Sequence, residues 1–216
     1  MGVLDQPLQL IVVLFALSIL PLLVVLGSSF LKIAVVFALL RNALGTQQIP
    51  PNIALYGLAL MLTLFIMAPI GLAIQDNLAE HPVRLDDKNF TQEVETKILA
   101  PYRDFLARNT ANAQARFFAD IGHRTWPEPY RNRIPDDSLI VLMPAFAISQ
   151  MIEAFRIGLL LFLPFVAIDL IVSNVLLAMG MMMVSPMTIS LPLKLLVFVF
   201  VNGWERLLGQ LVLSFN

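Results

Sequence analysis

DLIVSNVLLAMGMMMVSPMTISLPLK, residues 169–194, decides how the rest of the chain is read. Two apolar segments meet there at a methionine-rich turn. Met179, Met181, Met182 and Met183 fall within five residues, Gly180 stands among them, and Pro186 follows. Gly180 and Pro186 set the geometry of the loop, and Asp169 and Lys194 bracket it from inside apolar surroundings. A charge taken out of water is costly unless it is paired or faces an aqueous cavity. Methionine is a flexible, polarizable apolar side chain that adapts its shape to whatever it touches. It also fills irregular cores, and composition alone leaves that reading open. Packing demand is low at a turn, so the location favours a seal or contact loop over a catalytic pocket.

The surrounding composition agrees. The chain has 216 residues, of which 58 % are hydrophobic and 13 % charged, and its mean hydropathy is +0.81. A soluble domain carries roughly 45–50 % apolar and about 25 % charged residues. The balance here belongs to a protein surrounded by lipid or by apolar neighbours. A formal net charge of −1 gives no footprint for nucleic acid. Without cysteine there is no disulfide, thiolate nucleophile or Cys-ligated metal. The stretch before the first apolar run lacks the basic residues of a secretory signal, so that run is expected in the mature protein.

Outward from the methionine turn, the chain divides into three parts: hydrophobic helices over 1–74, a soluble helical insert over 75–138, and hydrophobic helices with the methionine loop over 139–216. Leu8 to Leu40 is one apolar run interrupted by Pro21, Gly27, Ser28, Ser29 and Lys32. It exceeds the ~20 residues of one bilayer span and is expected as two helical pieces broken near Pro21–Ser29. Ile53 to Ile74 is a second apolar segment. Nineteen of the 29 Asp, Glu, Lys and Arg residues then lie between Glu80 and Asp137. Within that insert Thr91–Leu99 and Tyr102–Ile121 read as amphipathic helices. Leu139 to Val172 is a third apolar segment, Val175 to Met187 runs through the methionine turn, and Ile189 to Phe215 closes the chain. The expected class is all-α: kinked hydrophobic helical hairpins with a small amphipathic insert. Hydropathy gives four spans, with the first link and the methionine turn on the cytoplasmic side.

Glu153 and Arg156 stand three residues apart on one helix face. They form either a contact site or ion pathway, or a local ion pair that makes an apolar helix tolerable. Asp169 and Lys194 either meet across the hairpin or each meet a neighbouring subunit. His81 and His123 are far apart and make no HExxH arrangement, and no P-loop, GxGxxG or GxSxG is present. The chain reads as a non-enzyme without metal or cofactor. A small secondary transporter using Glu153, Arg156 and Asp169 as a midplane site is the alternative function.

PAFAISQMIEAFRIGL (residues 144–159) and PFVAIDLIVSNVLLAMGMMMVSPMTISLPLK (residues 164–194) resemble the two signature blocks of the SctR/FliP family. That family supplies a core export-gate subunit of bacterial type III secretion systems and flagella. GSSFLKIAVVFALLRNALGTQQIPPN near the N-terminus and NGWERL near the C-terminus extend the resemblance over nearly the whole chain, most weakly in the insert. The LRNALGTQQIPPN stretch is more similar to the injectisome, or virulence, branch than to the flagellar one. Gln150 departs from a position that is often acidic in the family.

The resemblance implies a pore-forming subunit that passes unfolded proteins across the bacterial inner membrane. Five copies would join several copies of a small two-helix subunit and one larger single-copy subunit in a helical, conical gate. The gate would stand with the export platform proteins, and secreted proteins would cross it unfolded. Met181, Met182 and Met183 would line the pore as a deformable gasket. Glu153, Arg156, Asp169 and Lys194 would make inter-subunit or intramembrane polar contacts. Assembled members of the family sit largely raised to the periplasmic side, their apolar helices buried against neighbours rather than lipid.

Overall fold

The computed structural model describes residues 7–46, 49–80, 94–131 and 134–215. These residues form an all-α structure, with no strand among them. Helices α1 (Pro7–Leu26) and α2 (Phe30–Leu44) come first, followed by α3 (Asn52–Glu80). A single π turn (Val94–Ile98) leads into α4 (Ala100–Arg108), α5 (Asn112–Thr125) and the short α6 (Glu128–Arg131). Helix α7 (Leu139–Ala178) runs 40 residues, and α8 (Pro186–Phe200) and α9 (Gly203–Leu213) complete the chain.

Helix α2 is the centre of the bundle. Ile33, Val36, Phe37, Leu40 and Leu44 recur at the spacing of one helix face and are all buried. They meet Leu142, Phe146 and Ala154 of α7, and Leu55 and Ala59 of α3, in one core. Gly158 of α7 sits against Leu39 so closely that a Cβ there would lie 2.2 Å from a Leu39 methyl carbon. The insert shares this core: Phe105 and Leu106 of α4 are buried in it. The Phe105 ring stacks on Phe215, at 6.1 Å between centroids, and tilts against Phe146 at 5.7 Å.

The first apolar run is two helices, as its interruptions predict. They meet at 61° across Gly27–Ser29, and Pro21 lies inside α1. Gly27 is needed at that corner because Tyr102 Oη donates to its carbonyl at 2.8 Å, leaving no room for a side chain. The second 61° bend, between α8 and α9, turns at Val201–Asn202, where Asn202 adopts a left-handed backbone. Both large bends therefore fall at non-proline breaks.

Two expectations from the sequence are corrected. Tyr102–Ile121 is not one helix. Asn109 Nδ2 donates to the Phe105 carbonyl at 2.9 Å, and Thr110 Oγ1 donates to that of Leu106 at 2.7 Å. These side chains end α4 by capping its last carbonyls, and α5 starts afresh at Asn112. The apolar segments expected as Leu139–Val172 and Val175–Met187 are also not separate. Helix α7 continues unbroken through Pro164 to Ala178. Of the predicted helix Thr91–Leu99, residues 91–93 lie outside the described residues, and 94–98 form the π turn. His81 is also outside them.

By length and composition α3 and α7 are each able to cross a membrane, and the bent pairs α1–α2 and α8–α9 bring the number to four if each pair is one span. At ~1.5 Å per residue α7 is ~60 Å long, about twice the ~30 Å hydrocarbon thickness. Its exposed residues include Leu159, Leu160, Leu163, Leu170 and Ile171. Such a surface is stable only when lipid or protein covers it.

Candidate functional site: the methionine loop and its lysine anchors

The end of α7 is built to reverse the chain in few residues. Gly180 has φ +74°, the left-handed region open to glycine. The Gly180 N–H donates to the Leu177 carbonyl at 3.0 Å, and the Met181 N–H reaches back to that of Leu176 at 2.9 Å. This pair of bonds is a Schellman cap, which satisfies carbonyls that the helix end leaves open. Leu176 and Met181 line the same small apolar hollow, completing the cap's usual hydrophobic contact. Pro186 then opens α8 at its first position, where its missing N–H costs nothing.

Between these fixed ends the methionines are presented outward. Met181 is 38 % exposed, Met182 81 % and Met183 100 %. Met182 and Met183 at the loop tip do nothing for this chain's own core, while Met181 turns part of its surface to the hollow beside Leu176. With three rotatable bonds each, they can reshape around whatever contacts them.

Behind the loop, Lys194 of α8 is buried, with its side chain 6 % exposed. Its Nζ donates to Asp169 Oδ2 of α7 at 2.6 Å and to the Ala43 carbonyl, in the last turn of α2, at 3.3 Å. One ammonium thus ties three helices. It also places positive charge at the negative end of the α2 dipole. Asp169 is 42 % exposed at its side chain, so the lysine is the buried partner.

A second lysine does the same job lower on α7. Lys32 of α2 is fully buried, and its Nζ lies 3.0 Å from Glu153 Oε2 and 3.7 Å from the centroid of the Phe215 ring. The sequence reading singled out Glu153 and Arg156 but not Lys32. The available signal was that Lys32 is the one charge inside the first apolar run. Glu153 pairs with Lys32, and Arg156 is exposed and makes no ion pair with a described residue. Gln150 is buried beside them, its Nε2 donating to the Asn109 carbonyl at 2.7 Å. Ser149 Oγ accepts from the Ala111 N–H at 3.0 Å, so two polar bonds fasten the insert to α7. Among the described residues no group of three or more His, Cys, Asp or Glu side chains is placed to hold a metal ion.

The structure therefore brings Asp169 and Lys194 together behind the loop and carries Met181–Met183 forward of it. Glu153 and Arg156, nearer the start of α7, border one polar cleft, and only Glu153 has an ion-pair partner among the described residues.

The FliP family model matches residues 13–211. "Virulence protein YscR" of Salmonella typhimurium is 60 % identical over 213 residues, covering 98 % of each chain. "Yop proteins translocation protein R" of Yersinia pestis is 52 % identical, covering 99 % of this chain and 98 % of the relative. "Harpin secretion protein HrcR" of Erwinia amylovora is 44 % identical, covering 97 % of each. With a family match running through the core, the two lysine anchors and the methionine loop, and relatives aligned over almost their full length, the chain belongs to the FliP family.

Proposed function

We propose that this chain is a subunit of a type III secretion export apparatus in the bacterial inner membrane, and that copies of it surround a path for unfolded proteins. Its family and the names of its relatives, which speak of translocation and secretion, support the coarser half of this reading. One observation carries the finer half: three methionines stand at the tip of a capped, anchored turn, with Met183 fully exposed. About five copies would bring these tips together around an axis, where soft apolar side chains exclude water and ions. An unfolded polypeptide would push them aside, and they would close behind it. The work comes from other components; no bond is made or broken here.

The length of α7 and the apolar faces left uncovered support a chain that packs against copies of itself and against other apolar subunits, with part of it beyond the bilayer. The small two-helix subunit, the larger single-copy subunit and the platform proteins are the partners this reading names. The transporter alternative is less favoured, because Glu153 and Asp169 are each already held by a lysine of the same chain. Native mass measurement of the complex, extracted with its neighbours, tests the proposal. A copy number near five supports it, and a stable monomer as the active form overturns it.

A further inference from the structure

Six charges on the apolar helices stand outside the two lysine pairs, and none makes an ion pair with a described residue: Arg41, Asp76, Glu80, Arg156, Glu205 and Arg206. Arg156 has two kinds of surroundings. On one side is a polar cleft of about 480 Å³ that also holds Arg108, Ser149 and Ser214. The carboxylate in that cleft, Glu153, is engaged by Lys32, so Arg108 and Arg156 leave the cleft positive. On the other side is an open apolar groove of about 960 Å³, walled by Ile152, Phe155, Leu159, Leu160 and Leu163. A guanidinium on the border of an apolar groove calls for a carboxylate that arrives with apolar neighbours.

This chain carries that combination elsewhere on its surface. Glu205, in the first turn of α9, is exposed at the corner where α8 bends into α9. Phe200, Val201 and Trp204 expose apolar surface at the same corner. The corner also stands at the level of Arg156 along α7, because Arg206 and Leu207 of α9 face Ile157, Leu160 and Leu161 across a shared hollow. Asp76 and Glu80, the other exposed acids on the apolar helices, lie at the end of α3 beside the insert, where Asn77 Nδ2 donates to the Lys97 carbonyl.

We infer that Glu205 of one copy pairs with Arg156 of the next, with the Phe200–Trp204 corner of the first seated in the apolar groove of the second. Each copy offers both halves, so the contact is head-to-tail and closes when the rotation per copy closes. This rests on the proposed homo-oligomer and names the contact that would build it.

The chain contains no cysteine, which makes cross-linking clean. Arg156→Cys and Glu205→Cys chains are produced together in cells carrying the remaining components, and the membranes are treated with a short bis-maleimide, because the Cα atoms of an Arg–Glu pair stand too far apart for a disulfide. A cross-linked dimer in the mixture, absent from either variant alone, is expected. In the doubly substituted chain, a ladder ending at the full copy number is expected. In parallel, Arg156→Glu and Glu205→Arg each lower the yield of assembled complex by about tenfold or more, and the combined reversal recovers most of it. An assembly of normal mass without the cross-link overturns the contact and leaves the five-copy reading standing. Absence of any homo-oligomer overturns both. Loss of assembly with Arg156→Glu that Glu205→Arg does not repair refutes the pairing.

Discussion

Removing Asp169 should cost more than removing Lys194, although the two form one ion pair. The reason is the unequal burial of the partners: the lysine side chain is 6 % exposed and the aspartate 42 %. Asp169→Ala strands a buried ammonium with only the Ala43 carbonyl for company. Leaving one member of a buried pair uncompensated costs about 3–5 kcal/mol. Lys194→Met takes the buried charge away and fills its volume with an apolar side chain. What remains is a carboxylate that water reaches and one open carbonyl at the end of α2, a loss of about 1.5–3 kcal/mol. The double variant removes the stranded charge as well as the pair, so it should be more stable than Asp169→Ala alone. Thermal unfolding of the detergent-solubilised protein, followed by circular dichroism, measures the three losses as a double-mutant cycle. Equal losses for the two single variants, or a double variant that loses their sum, would refute the reasoning from burial.

Three further outcomes follow from the same structure. Gly180→Ala meets open space, so it should cost only the left-handed strain of about 1 kcal/mol. Gly158→Ala drives a methyl into Leu39 at the α2–α7 contact and should cost about 1–3 kcal/mol by overpacking; the same melting experiment ranks the two. Tyr102 has its phenol pushed up from the ordinary 10.0 to about 12 by burial. The folded protein then keeps the proton while the unfolded chain ionises, so stability holds below pH 10 and falls as pH rises from there to about 12. Tyr102→Phe should remove that alkaline fall and cost about 1 kcal/mol at neutral pH through the lost bond to Gly27; unfolding midpoints measured across that range check both halves.

The all-α architecture was legible in the sequence because apolar runs of this length have few alternatives. The break at Gly27–Ser29 was legible too, since glycine and two serines interrupt the run. The continuity of α7 was not. Pro144, Pro164 and the charges between them suggest interruption, yet the helix absorbs both prolines through packing on α2 and α5. The split of Tyr102–Ile121 was hidden for the opposite reason. Its apolar spacing continues across Asn109 and Thr110, and the break is fixed by the side-chain bonds of those two residues together with Ser149 and Gln150 of α7, which bind the Ala111 N–H and the Asn109 carbonyl. The methionine loop was visible as an unusual composition at a turn, but its capped geometry follows from which carbonyls Gly180 and Met181 reach. Lys32 could not be matched to Glu153, 121 residues away, by any local spacing. Such pairings are set by how α2 and α7 cross.

The central claim is that the exposed methionine tips close a path between copies of the chain. Replacing Met181, Met182 and Met183 by glycine in the assembled apparatus removes two tip side chains that this chain's own core does not use, and a third, Met181, that also lines the hollow beside Leu176. Ion conductance across membranes carrying the assembled variant is the direct measurement. The account predicts a clear rise in leak while protein export continues, and unchanged conductance in complexes of normal composition would contradict it.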